Sequence, residues 1–542
     1  MRTTLKKVWR RGDVFIWLSG AGLSLSLIMT AGLLFSIFTN AAKFFWPNAV
    51  AAFSVEEGRN LLGQITGEEA IPDPENPKAP PKYRIQLNQG NRDIYGVDFL
   101  WLGREAIQSS HYPEGAVVLE RREWGNFYGF IREVRDQGKI IASGPEKGLA
   151  AVHELLPASH AIFDRINRIA KKDIGAINHY LEDNRLELKA LAAEGITSGK
   201  KVTGLEAENE QLQKQYQELE AALSRLRKTG TAEVLLETAD GQNKILPLTM
   251  IVRAYAPNTF GFLDKVGFFF AKIWEFIWDE PRESNTEGGV FPAIFGTVMM
   301  VLIMSFLATP LGVLAAFYLR EYAKQGPMVS AVRIAVNNLA GVPSIVFGVF
   351  GVGFFIYFIG GSIDQFFFSE ALPTPTFGTG GILWASLTMA LLTVPVVIVS
   401  TEEGLASVPK GIREASLALG ATKFETTWRV VIPAVMPSIL TGLILAMARA
   451  AGEVAPLMIT GVVKLAPSLP LDGIWPFIHL ERKFMHLGFH IYDVGFQSPN
   501  VDAARPMVFT TTLLLIVIVL LLNFSAILLR NRLRKKLAVS GV

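Results

Sequence analysis

Six stretches of this chain are apolar for long enough to cross a bilayer, which takes about 20 residues of helix. They run from Val14 to Thr39, Val290 to Leu319, Ile334 to Gly360, Gly380 to Ser400, Ser438 to Thr460 and Met507 to Leu529. The pattern predicts a membrane α-helical bundle of six transmembrane helices. The first stretch lacks a small-residue cleavage site and reads as a retained span, not a signal peptide. Most connections between spans are short. The exception is the segment between the first two, which has the composition of a soluble domain.

That segment carries two periodicities. After a Pro-rich stretch, PDPENPKAPPK at 72–82, residues 83–141 place Tyr, Val, Ile and Trp between Gly-type breaks, which predicts strands. From about Ala158 to Lys228 the period becomes helical. Val202, Asn209, Tyr216 and Leu223 recur every seventh residue, and so do Leu205, Leu212, Leu219 and Leu226. These are the a and d positions of a coiled coil. An upstream helix carries Ile162, Ile166, Ile169, Ile177 and Leu181, and a Gly-rich break, GITSGKKVTG, separates the two. An antiparallel helical hairpin over about 158–228 follows, inserted into a β-rich whole. The rival is a zipper between two chains, for which Asn209 at an a position would fix register. Strand-like sequence returns in TAEVLLET and NKILPLTMIVRAY, with a turn at Asp240-Gly241. The run Phe268–Trp278 is too short and too charged to span. It predicts a helix in the membrane interface with Trp274 and Trp278 at headgroup level. The expected division is 1–40 for a basic segment and first span, 41–285 for an α+β domain, 286–530 for a membrane domain, and 531–542 for a basic tail.

Half of the 542 residues are hydrophobic and the net charge is +3, so nothing draws the chain as a whole to nucleic acid; its medium is the lipid bilayer. Local charge is more telling. Arg2, Lys6, Lys7, Arg10 and Arg11 precede the first span, and Arg530, Arg532, Arg534, Lys535 and Lys536 follow the last. Both ends are therefore expected in the cytoplasm. The loops with Arg320, Lys324 and Arg333, and with Lys410, Arg413, Lys423 and Arg429, then fall inside too, and 41–289 outside. The chain has no cysteine, which excludes disulfides and thiolate metal sites.

Few residues offer chemistry. Arg449 and Glu453, in LAMARAAGEVAP of the fifth run, are ionisable groups within a membrane segment, spaced i, i+4 to pair on one helix face. They read as a fixed cation and its counter-ion on an anion's path, or as a packing salt bridge. In the third run Asn338, Pro343 and Ser344 (NNLAGVPSIVFG) interrupt the helix, as a pathway element or as a kink. Gly348, Gly351 and Gly353 read as close helix packing. His479, His486 and His490 read as polar tips of an interfacial segment, with a metal site the weaker alternative. No G-x-x-x-x-G-K-[ST] phosphate loop, G-x-S-x-G elbow or H-E-x-x-H motif is present, so neither ATP hydrolysis nor a cofactor is expected of this chain.

The loop 402–437 lies between the fourth and fifth runs. Within it Glu414-Ala415-Ser416, Gly420 and Val430-Val431-Ile432-Pro433 follow an EAA-x3-G-x9-I-x-L-P spacing. This resembles the EAA loop of bacterial ABC-importer permeases, a short helix-turn-helix that a cytosolic ATPase grips. NTEGGVFPAIFGT, TPLGVLAAFYLREYA, GVPSIVFG, VPKGIREASLALGATK and ARAAGEVAPL narrow the likeness. From about Asn285 to Leu529 the chain resembles the PstA-type permeases of the bacterial phosphate ABC importer. The resemblance implies a type I importer permease fold and inward movement of inorganic phosphate across the inner membrane. It also implies three partners: a PstC-like companion permease, a PstB-like ATPase dimer and a PstS-like periplasmic phosphate-binding protein. Family arginines linked to phosphate passage map onto Arg449 and, in the loop, Arg413. The chain departs from the family at Ser416, where the signature has Ala, and in the large outer domain, where ordinary members have a short connection. A permease for sulfate or molybdate, and a membrane-anchored scaffold or phosphate-sensing adaptor that no longer transports, remain the alternatives.

Overall fold

The computed structural model describes residues 13–56, 58–71, 81–498 and 501–539. The basic residues 2–11 and most of the Pro-rich stretch lie outside these. Among the described residues, six helices are long and apolar enough to cross a membrane: Phe15–Phe45, Phe291–Tyr322, Ser344–Phe367, Ile382–Ser407, Lys423–Gly452 and Ala504–Lys535. Between the first and second, the described residues form two large antiparallel sheets and a two-stranded one that pairs Pro281–Arg282 with Glu287–Gly288. Strands β1 (Val50–Val55), β2 (Arg59–Ile71), β3 (Lys82–Asn88), β4 (Phe99–Gly103) and β5 (Ile107–His111) form one, in the order β4-β3-β2-β1-β5. The other contains β6 (Val117–Arg121), β7 (Phe127–Asp136), β8 (Lys139–Ser143), β9 (Glu233–Glu237), β10 (Asn243–Pro247) and β11 (Ile251–Tyr255). Its order is β10-β9-β7-β6-β11, with β8 also on β7. The β9–β10 hairpin turns through Gly241 at φ +84°, a left-handed conformation that favours glycine.

The chain leaves the second sheet after β8 and re-enters it at β9, and the helical hairpin fills the gap. Helix α2 (Pro145–Asn167) runs through a π-helical turn, Arg168–Asp173, into α3 (Ile174–Ala193). The hairpin's first arm therefore starts at Pro145, before the position where the heptads begin. Val152 and Leu156 of α2 close the core of the second sheet with Val117, Phe127, Ile131 and Leu236, and that contact lengthens the arm. The return arm is α4 (Lys200–Thr229). Its a and d residues are buried or half-buried, while most of its other positions are exposed. Asn184 Nδ2 donates to Asn209 Oδ1 at 3.1 Å. The polar a position therefore has its partner in the same chain, and the hairpin is intramolecular.

Helix α5 (Phe262–Trp278) turns its apolar residues outward: Leu263, Phe270, Trp274 and Trp278 are exposed along one stripe. Its charged face is turned in. Lys272 Nζ reaches Glu120 Oε2 at 2.6 Å, while Glu275 takes Arg253 at 2.9 Å and Arg282 at 2.7 Å. Burial alone would raise the Glu275 carboxyl, but Lys272, Arg282 and Arg253 outweigh it and hold it at about 2. Phe276 joins Phe45 at the end of α1 (Asp13–Phe45) and Val290 and Ala293 at the start of the second span in one apolar cluster. An outward apolar stripe at that level suits the lipid interface.

The membrane helices are α6 (Phe291–Phe317), α8 (Ser344–Phe350, continuing to Phe367), α9 (Ile382–Ser407), α11 (Ile432–Gly452, entered from Lys423) and α14 (Val501–Val539), besides α1. A separate helix α7 (Pro327–Leu339) precedes α8, and α12 (Ala455–Thr460) follows α11. The third span therefore begins at Ser344, not Ile334, and the fifth runs from Lys423 to Gly452, not from Ser438 to Thr460. Proline sets both boundaries. A proline inside a helix removes the hydrogen bond to the carbonyl four residues back and clashes with it. Pro343 thereby ends α7 at Leu339, and Pro456 ends α11 at Gly452.

Candidate functional site

The loop between the fourth and fifth spans folds into α10 (Lys410–Ala418) and a tight turn. Gly420 sits at φ +87°, the left-handed position that closes a helix C-terminus, and Gly420 N donates to Leu417 O at 3.0 Å. The next helix opens at Thr422, whose side chain takes Glu425 N while Glu425 takes Thr422 N, a capping box. Ser416 Oγ and Thr426 Oγ1, 3.0 Å apart, join the two short helices. Arg413 fastens the unit to the bundle: it donates to Glu321 Oε1 at 2.8 Å, Val408 O at 2.7 Å and Leu405 O at 2.9 Å. Its guanidinium is thus engaged in holding the loop to the ends of the second and fourth spans.

The other side of this unit is open. Glu414 and Ala415 are exposed, as are Leu417 and Leu419, the latter 90%. Phe424 and Trp428 stack with ring centroids 6.3 Å apart, and both stand out from the surface. Sequence reasoning missed this aromatic pair, although its i, i+4 spacing next to the loop was visible. Pro433 lies in the first turn of α11, and a π-helical turn at Thr427–Val431 absorbs the hydrogen bond it cannot make. The loop is therefore continuous with the fifth span through one bent helix.

Arg449 and Glu453 lie at the other end of that helix. Glu453 is not on the helix: it follows the last residue, Gly452, with extended backbone, and its N–H reaches Ala450 O at 3.3 Å. Arg449 Nε and Glu453 Oε1 are 3.7 Å apart, in ionic contact but beyond hydrogen-bond length, and the two side chains keep 33% and 25% of their surface open. The pair is deep. Gly442 is close against Val397 and Ser400 of α9, and the two helices run antiparallel. Seven residues further on, Arg449 comes about 12 Å inside the Ile382 end of α9, at 1.5 Å per residue.

The other pathway candidates lie at the second break. Asn338 is exposed near the end of α7, and Ser344 is the half-buried first residue of α8. Leu339 and Val342, which flank the α7–α8 break, pack on the cluster that holds Met447, Ala450 and Ala451 of α11 and Leu457 of α12. Gly348 of α8 lies against Pro456, where a Cβ would come within 2.7 Å of the proline Cα. Two interrupted segments, one carrying Ser344 and the other Arg449 and Glu453, thus meet inside the bundle. Backbone freed at such breaks is tolerated at membrane depth where it is packed by protein or lines a cavity.

The three histidines are not on one helix face. His479 lies in the loop between the fifth and last spans, between Asp472 Oδ1 at 2.9 Å and Glu481 Oε1 at 3.2 Å. His486 caps α13 (Leu487–Tyr492), and His490 is buried within it. Burial pushes His486 down to about 3 and His490 to about 4.

A family model described as binding-protein-dependent transport system inner membrane component matches residues 308–539. The chain is 30% identical over 235 residues to the probable ABC transporter permease protein YqgI of Bacillus subtilis (strain 168), covering 42% of this chain and 74% of that protein. It is 33% identical over 194 residues to YqgH of the same organism, covering 35% and 59%. It is 38% identical over 185 residues to phosphate transport system permease protein PstA 1 of Mycobacterium tuberculosis (strain ATCC 25618 / H37Rv), covering 34% and 54%. The chain thus spans little more than half the length of two of these relatives, and about three quarters of the first.

Proposed function

The chain belongs to the binding-protein-dependent transport system inner membrane components, and on that premise we propose that it is a PstA-like permease subunit carrying inorganic phosphate inward across the bacterial inner membrane. The permease is of type I and works by alternating access. A PstB-like ATPase dimer grips Glu414, Ala415, Ser416 and Gly420, with Pro433 at the entry of the driven helix. A PstC-like permease completes the pathway, and a PstS-like protein delivers phosphate from the periplasm. The basic segments before the first span and after the last are cytoplasmic, so residues 41–289 face the periplasm.

The observation that carries this reading is the half-open Arg449–Glu453 pair at a helix break inside the bundle. A guanidinium presents a rigid fork of donors that matches tetrahedral oxyanions. Its present partner is held at ionic distance and not by hydrogen bonds, so an incoming anion can take the fork while Glu453 swings off on non-helical backbone. Glu453 then returns to Arg449 and displaces the anion. Ser344 and Asn338, at the neighbouring break, supply neutral donors beside this path. The relatives named as phosphate permeases support the choice of phosphate among oxyanions.

The test is uptake of labelled phosphate by cells that lack their own high-affinity system and express the whole transporter. Unlabelled phosphate, sulfate and molybdate serve as competitors. Saturable uptake that only phosphate blocks is the expected result. Arg449→Ala should abolish it while the complex still purifies intact. Competition by sulfate or molybdate would reassign the substrate, and no uptake by an intact complex would favour the adaptor. A complex that falls apart in Arg449→Ala would make that pair a packing salt bridge.

A further inference from the structure

The outer domain is attached to the membrane helices at two places of unequal strength. At its base, Phe45, Phe276, Val290, Met485, Leu487 and Met507 form one apolar cluster joining α1, α5, α6, α13 and α14. Its hairpin reaches the membrane domain by polar contacts. Lys189 of α3 donates to Glu370 O at 2.6 Å and Leu372 O at 2.7 Å, in the loop that leaves the third span. Ten residues back, the His179 ring stands edge-on to His479 in the last outer loop, centroids 6.4 Å apart. Helix α3 thus presents two sides: Ile177, Asn184 and Leu191 are buried in the hairpin, while His179 and Lys189 rest on the outer loops.

The surface they rest on is a single plate. Ile382 N donates to Arg482 O at 2.9 Å, Leu383 N to Leu480 O at 3.0 Å, and Gly381 N to Thr460 O at 3.1 Å. These bonds fasten the last outer loop and the end of α12 to the start of the fourth span. The hairpin therefore reaches from the base of its domain to the outer ends of the third and fourth spans, and the last outer loop belongs to the base cluster and the plate alike.

We propose that the hairpin is a strap over the outer mouth, docked in the state seen here and released each time the mouth opens. The unequal attachments decide which end moves. An apolar cluster of six large side chains does not open during a transport cycle. An exposed lysine on two carbonyls changes an equilibrium only about three- to five-fold, so this end lets go at little cost. The π-helical turn at Arg168–Asp173, between α2 on the sheet core and α3 on the plate, is where the arm bends. The strap rests on the reading of the chain as a permease, because only a permease has an outer mouth that opens.

The chain's lack of cysteine makes the test direct. Lys189→Cys and Glu370→Cys are combined in the full transporter in membranes and joined by oxidation or a short bis-thiol linker. Joining should cut uptake about ten-fold or more, since the docked state must exchange in every cycle, and reductant should restore the oxidised sample. Joined transporter that takes up substrate at the unjoined rate overturns the strap, and so does a pair that cannot be joined at all. A second readout needs no transport. Lys189→Ala should raise the labelling rate of Leu372→Cys by a membrane-impermeant maleimide about three- to five-fold, and an unchanged rate counts against docking. If uptake is absent even before joining, the permease reading fails while the labelling arm still reports on the strap.

Discussion

Glu275→Gln tests how the α+β domain between the first two spans is held to helix α5. The carboxylate is almost enclosed and bonds Arg253, Lys272 and Arg282 at 2.9, 3.2 and 2.7 Å. Lowering it from 4.5 to about 2 corresponds to roughly 3 kcal/mol of folded-state preference for the ionised form, at 1.36 kcal/mol per unit. Truncating one member of a buried ion pair costs about 3–5 kcal/mol because the partner charge is left buried. Here Lys272 and Arg253 keep Glu120, at 2.6 and 4.0 Å, and glutamine keeps the shape, so we expect about 2–3 kcal/mol at pH 7. The pH dependence separates this from a packing defect. A carboxyl whose folded value is depressed stabilises above its unfolded value and loses that contribution as pH falls through the folded one. Wild type should therefore converge on the variant between pH 4.5 and pH 2. His486 and His490, also depressed, lose stability as pH falls from 6.5 toward 3, but equally in both proteins, so the difference isolates Glu275. The assay is pulse proteolysis of the outer domain against urea, on the full chain in nanodiscs. Equal stability at pH 7, or a gap that persists undiminished at pH 3, would refute the reasoning.

Gly420→Asp should leave membrane insertion normal but uncouple ATP hydrolysis from uptake. It strains a left-handed position by about 1–2 kcal/mol and adds bulk and charge beside the exposed loop face; normal uptake would remove the coupling assignment. Gly442→Leu should block assembly of the fourth and fifth spans, because a Cβ there already comes within 2.7 Å of Ser400 Cβ; the check is the yield of intact complex after detergent extraction. Asn184→Leu alone strands Asn209 in the hairpin seam and should cost about 1–3 kcal/mol, while Asn184→Leu with Asn209→Leu should recover that loss or exceed wild type; urea unfolding of the hairpin by pulse proteolysis decides it.

The helical hairpin was legible in its heptads because a seven-residue repeat is a local property of sequence. Its intramolecular pairing was also expected, from the upstream helix and the Gly-rich break, but the partner of Asn209, 25 residues away on the other arm, was not. The spans were legible in number, but hydropathy averaged over a window passes through Pro343 and Pro456, and so it joined α7 to α8 and α11 to α12. The correcting signal lay in single residues: each helix ends four residues before its proline. The loop unit was readable from the spacing of Glu414, Gly420 and Pro433, while the left-handed turn at Gly420, the capping box at Thr422 and Glu321 as the anchor of Arg413 came from the folded chain. The hairpin's rest on the outer loops had no signature at all, because Lys189 bonds backbone carbonyls, which any residue supplies.

The prolines also explain how a push at one face can reach the other. Pro433 is accommodated by a π-helical turn, so the helix from Lys423 to Gly452 is bent but unbroken and can carry displacement along its length. Pro456 is not accommodated, and the same helix stops at Gly452, one residue before Glu453. Motion entering at the exposed loop would therefore be delivered to a terminus, where backbone is free to turn, and not spread along a continuous rod. Arg449 lies on the rigid side of that terminus and Glu453 on the free side. A displacement of the helix changes their 3.7 Å separation before it changes anything beyond the break. Under the proposed function, the pair that takes the oxyanion would also stand where the mechanical input is released, because the helix ends there.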